Sequence, residues 1–147
     1  MKRLLYQFNI IILFTIPSQL PAENSTNIEQ KIVLIANTTI DSISTRELKL
    51  IYSTKLKKWP NGKAIQVFNL APKSETFHQF CLQNLRLQPY QLERIWKRMM
   101  FTGTGTPPTT VGSIDEMKNK IINTPGAIGY LPNNIEILPQ YKLEVIN

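Results

Sequence analysis

The chain has 147 residues, a length that favours one domain. It holds one cysteine and one histidine, which excludes an internal disulfide and leaves too few soft ligands for a zinc centre. Its formal charge of +7 suits an anionic partner or plain solubility, and selects neither.

The first stretch stands apart from the fold. Met1-Lys2-Arg3 is positive, Leu4 to Ile16 is mostly apolar, and Pro17 to Ala22 is a polar, helix-breaking exit. This is the order of a secretory signal peptide, expected over residues 1–22 with Ala22 the last residue removed. A membrane anchor needs about 20 apolar residues, and this run is shorter and broken by Gln7 and Asn9. The domain is then expected over residues 23–147, and export makes nucleic acid a poor partner.

Ile32-Val33-Leu34-Ile35-Ala36 is a continuous β-branched run, expected as a strand buried on both faces in a parallel sheet. Ser44 and Glu47 have capping-box spacing and predict a helix with Leu48, Ile51 and Tyr52 on one face. A basic loop around Trp59-Pro60-Asn61-Gly62 follows, with turn chemistry at Asn61-Gly62 and Trp59 expected to pack in the core. Ala64 to Leu70 reads as a second strand.

Two helices come next. Ser74 caps the first, whose inner face is Phe77, Phe80, Cys81 and Leu85; Pro89 opens the second, with Leu92, Ile95, Trp96 and Met99 inward. The segment Thr102 to Thr110, rich in Gly, Pro and hydroxyls, reads as a long loop. A capping-box pair, Ser113 and Glu116, starts a helix with Ile114, Met117, Ile121 and Ile122 inward. Ala127 to Leu131 is a buried strand, and Leu143 to Ile146 an edge strand. The order β-α-β-α-α-α-β-β argues a single layered α/β domain.

Catalytic chemistry finds little footing. His78 has no nucleophile or orienting acid beside it in sequence, and Cys81 sits on an apolar face where a thiol behaves as a small hydrophobe. Thr102-Gly103-Thr104-Gly105 lacks the Gly-Lys-Ser/Thr ending of a phosphate loop. No cofactor fingerprint, metal cluster or enzyme constellation can be assembled. Ser74-Glu75-Thr76 differs in kind: two hydroxyls at a helix start favour an anion through free amides and the helix dipole, although capping alone accounts for Ser74.

Ser44-Thr45-Arg46-Glu47-Leu48, Ile51-Tyr52, Lys55 and Trp59-Pro60-Asn61-Gly62 together resemble the phosphate-type periplasmic binding proteins. Phe101-Thr102-Gly103-Thr104-Gly105, Pro107-Pro108, Val111-Gly112-Ser113 and Thr124 to Pro132 extend the resemblance, which covers roughly Ile32 to Pro132. It implies one lobe of a type II periplasmic binding fold, an exported periplasmic location, and a role as a solute-binding-type domain for phosphate or another small oxyanion, in contact with a transporter or other envelope protein. It also implies ligand contacts at Ser74 and Thr76, matching the family's Ser-Gly-Thr, and at Thr38 and Thr39 as a second region. Two positions depart from the family's pattern: Glu75 stands for the glycine, and Leu70 for an arginine. Those departures frame an alternative expectation, an envelope interaction module that contacts a protein through the Thr102–Thr110 and Lys55–Trp59 loops without binding phosphate.

Overall fold

The apolar run Ile32–Ala36 forms β1 in the centre of a six-stranded sheet, in a computed structural model that describes residues 30–147. The signal-peptide expectation falls on residues 1–22 and lies outside the described residues. Chain order continues with β2 (Ser42–Ser44), α1 (Thr45–Tyr52), β3 (Gln66–Leu70), α2 (Glu75–Gln83), α3 (Pro89–Thr102), β4 (Thr109–Val111), α4 (Ile114–Asn123), β5 (Ala127–Pro132), a 3₁₀ turn at Pro139–Tyr141, and β6 (Lys142–Ile146).

The sheet order is β2-β6-β1-β5-β3-β4. Strand β1 is antiparallel to both its neighbours, β5 and β6, while β2–β6, β3–β5 and β3–β4 pair in parallel. One strand therefore runs against the other five. This corrects the parallel setting expected for β1. Apolar residues on both sides of a strand report that both faces are covered, and cover says nothing of direction.

Both faces are covered by helices. Gly129 of β5 points at α4, where a Cβ would lie 2.5 Å from Met117 Sδ and 3.1 Å from Ile121 Cδ1. Its neighbour Tyr130 faces the other way and stacks on Phe80 of α2, with ring centroids 3.9 Å apart. Tyr52 of α1 joins that cluster at 4.6 Å from Phe80, and Trp96 of α3 meets Phe77 at 5.9 Å. So α1, α2 and α3 cover one face and α4 the other, giving the three layers of an α/β domain.

Four expectations need adjustment. Strand β6 lies between β2 and β1 rather than at an edge, because the short Ser42–Ser44 segment adds outside it in the register Ile43↔Val145. Three residues with one apolar side chain carry too little pattern to read as a strand. Thr109–Val111, inside and just beyond the expected loop, forms β4 against Phe68–Leu70. Ile95 is exposed, since Trp96 takes the inward position of that turn and donates from Nε1 to Tyr52 O at 2.8 Å. The Ser113 cap is present, but the Glu116 carboxylate reaches back to Gly112 N, at 2.7 Å, instead of closing a box on Ser113. The Ser44–Glu47 box on α1 is complete.

Candidate functional site

The site suggested by the hydroxyl pair lies where β3 leaves the sheet. Beyond Leu70 the chain turns through Ala71-Pro72-Lys73, with Ser74 N donating to Ala71 O at 2.8 Å. Ser74 is extended, and its Oγ accepts from Phe77 N at 3.2 Å. His78 N is taken by Ser74 O at 3.2 Å. The remaining first-turn donors are the amides of Glu75 and Thr76, which face out of the helix end as such amides must. Thr76 is itself buried.

Glu75 does not lie across those amides. Gln79 Nε2, one turn along, donates to its Oε1 at 2.7 Å. Gln79 Oε1 in turn accepts from Gln83 Nε2, and Gln83 bonds Gln30 O and Ile32 N at the start of β1. A relay of side-chain amides thus draws the carboxylate along α2. His78 Nε2 sits 3.0 Å from Pro72 O and braces the turn.

Beneath the cap is a buried polar network that the sequence reading did not single out. Backbone pairing between β3 and β5 covers Gln66↔Ala127 and Val67↔Ile128. Past that point side chains bridge the strands. Tyr130 Oη accepts from Leu70 N at 3.0 Å and donates to Asn69 Oδ1 at 2.8 Å, while Asn69 Nδ2 donates to Leu70 O and Tyr52 Oη to Phe68 O. Burial pushes the phenols of Tyr130 and Tyr52 well above their usual range, so both remain neutral O–H donors. An Asn and a Tyr inside otherwise apolar strands were the available signal. Leu70, at the carboxyl end of β3, is buried in the core.

The second hydroxyl pair is elsewhere. Ala36 pairs with Ile128, and Gln66 with Ala127, so Thr38 and Thr39 lie beyond the amino end of β3. Ser74 and Thr76 lie beyond its carboxyl end, and β3 alone spans about 13 Å. One small ion cannot touch both pairs. Thr39 Oγ1 accepts from Asn61 Nδ2 at 3.3 Å, and Thr38 Oγ1 is buried with no partner among the described residues. The same edge is welded by Trp59, buried as expected, whose Nε1 donates to Gly126 O at 2.9 Å.

Concave surface gathers at this amino edge. A cleft of about 320 Å³ is lined by Leu56 and Lys57, by Gln66 of β3, and by Thr106, Pro107 and Pro108. The two loops expected as a protein-contact surface therefore meet at one cleft. A neighbouring groove of about 560 Å³ brings Lys55 and Arg98 together with Thr54, Thr102 and Thr104. Neither is lined by Ser74 or Thr76. Cys81 is buried and its thiol pushed up to about 12, by burial first and the Glu93 charge second. Among the described residues no group of three or more metal-binding side chains occurs, and no helix is long and apolar enough to cross a membrane.

The sheet and its helices are those of about half of a phosphate-type substrate-binding protein. A structure from Clostridium perfringens, named as that of a phosphate ABC transporter substrate-binding protein with bound phosphate, matches 79% of this chain and 45% of its own, with a TM-score of 0.61 and 16% identity. An ABC-type phosphate transport receptor from Vibrio cholerae matches with a TM-score of 0.54 and 13% identity, and PstS from Borrelia burgdorferi with 0.55 and 18%. Each covers 79% of this chain, which spans 46% and 47% of their respective lengths. At these identities the likeness is one of fold. No family model and no curated protein matches the chain.

Proposed function

We propose that this is a non-catalytic, periplasmic solute-binding-type domain, residues 23–147 following a cleaved signal at 1–22, that contacts phosphate or a similar small oxyanion. The fold shared with three phosphate-receptor structures carries this proposal. The start of α2 supports it as the contact: two amides with free direction, the Ser74 and Thr76 hydroxyls, and a carboxylate drawn aside by Gln79. Thr38, with its unpartnered buried hydroxyl, and Thr39 form a separate polar spot at the other sheet edge.

Among the described residues no arginine fork completes the α2 site, and Leu70 is buried where the family resemblance would put one. Affinity of this domain alone is therefore expected to be weak, with a transporter or another envelope protein supplying the facing wall. Calorimetric titration of the folded protein with phosphate and with sulfate tests the proposal. Saturable heat that is lost in Ser74→Ala and Thr76→Val upholds it. Absence of heat at millimolar anion overturns it.

One observation favours a second function: Leu56–Lys57 and Thr106–Pro108 line a single cleft. On this alternative the domain docks an envelope protein there and binds no phosphate. Pull-down with a Lys57→Glu, Thr106→Arg pair separates the two, because that pair leaves the α2 start untouched.

A further inference from the structure

Helix α3 places Tyr90, Arg94, Lys97 and Phe101 at i, i+4, i+7 and i+11, a spacing that returns to one face. The buried stripe of Leu92, Trp96 and Met99 lies on the opposite side. Phe101 is 93% exposed, Tyr90 64% and the adjacent Met100 56%, so an aromatic stands at each end of a stripe about 16 Å long with two cations between. Arg98 flanks the row and shares its groove with Lys55 from the loop after α1. Glu93, the sole carboxylate of α3, is half-buried and off the stripe. None of these side chains packs the core, and none belongs to the α2 start.

We infer that the outer face of α3 is a peripheral docking surface for an anionic lipid bilayer. The cations would lie at the phosphate level and the Phe101 side chain just beneath it, an arrangement that uses both chemistries of the stripe. A second copy of the chain is disfavoured, because identical cationic rows would oppose each other. An acidic protein would match the charge but would need a groove shaped to a convex helix, whereas a lipid interface accepts the helix as it stands. The surface is independent of any oxyanion at Ser74.

The test uses the full chain carrying Phe101→Trp. Trp59 and Trp96 are buried and give a constant background. Emission is followed on adding vesicles of phosphatidylcholine alone or phosphatidylcholine with phosphatidylglycerol, with brominated lipid as a depth quencher. A blue shift and quenching on the anionic vesicles only, reversed by high salt and lost when Arg94, Lys97 and Arg98 are changed to Gln, are the expected results. No shift on anionic vesicles, an equal shift on neutral ones, or persistence in the triple variant overturns the inference. So does an equal shift with poly-glutamate, which would assign the stripe to an acidic polypeptide. Far-UV circular dichroism checks that each variant is folded.

Discussion

The hydroxyl of Tyr130 and the side-chain oxygen of Asn69 lie 2.8 Å apart in the core, joining β5 to β3 where their backbones have stopped pairing. The same hydroxyl accepts from Leu70 N, so one atom replaces part of a missing ladder. Phe80 holds the ring in place, stacked at 3.9 Å with the planes 3° apart. Through Phe80 the bridge is packed against α2, the helix that Ser74 caps.

Tyr130→Phe should therefore destabilise the domain by about 1–3 kcal/mol, the cost of leaving buried polar groups unpaired. Asn69→Ala should cost a similar amount. The double variant should lose less than the two single losses combined, because the partners share one network. Urea denaturation of all four proteins measures the coupling. Strict additivity would show that the bridge is not a unit.

Ser74→Ala removes the acceptor for Phe77 N and should cost about 1 kcal/mol of stability, with Ser74→Gly costing less. Thermal melts give the comparison. If Ser74 also meets an oxyanion, the rise in melting temperature produced by millimolar phosphate should shrink in Ser74→Ala. An unchanged phosphate effect would confine Ser74 to capping.

Gly126→Ala should be worse than Gly129→Ala. Gly126 has φ +81°, and a Cβ there would collide with the Ala64 carbonyl oxygen, a backbone atom. Gly129 would instead meet the ends of Met117 and Ile121, which can shift at about 1–3 kcal/mol. Gly126→Ala should also loosen the Trp59 contact and shift its emission to the red. Equal stability of the two variants would contradict the geometry.

Stability should fall at alkaline pH in a defined order. Burial raises Cys81 from the ordinary 9.0 to about 12, and raises Tyr130 and Tyr52 above 10.0. Each is neutral in the folded state while the unfolded chain releases its proton, so stability is fully present below the unfolded value and is lost progressively as pH rises from there through the folded value. The decline begins near pH 9 with Cys81 and steepens past pH 10 with the tyrosines. Cys81→Ala should delay the decline to about pH 10 and leave it shallower above, as read from urea midpoints between pH 7.5 and 10.5. In the native state at neutral pH, the thiol should resist a disulfide reagent and react on unfolding.

The element order and most of the core were legible in the residues themselves. The Ile32–Ala36 run, the caps at Ser44, Ser74 and Ser113, Pro89 at a helix start and, Ile95 apart, the inward faces of the helices follow from periodicity and capping, which are local properties. Strands of three residues were not legible. Ser42–Ser44 and Thr109–Val111 become strands only because β6 and β3 offer them a partner, and a partner's edge is absent from local sequence. The reversed direction of β1 has the same origin.

For the candidate site, Ser74 and Thr76 could be nominated from sequence, since a hydroxyl at a helix start has a local signature. Tertiary structure decided what accompanies them. It sent Thr38 and Thr39 to the far edge of the sheet, turned Glu75 toward Gln79, and built the Asn69–Tyr130 bridge from residues 61 positions apart. It also brought the Lys57 and Pro107 loops to one cleft and left Phe101 in the open. Local chemistry determines which segments become helices and long strands because each turn or pleat is closed by near neighbours. Which side chains meet is settled by how the sheet is ordered, and that depends on contacts no short window of sequence contains.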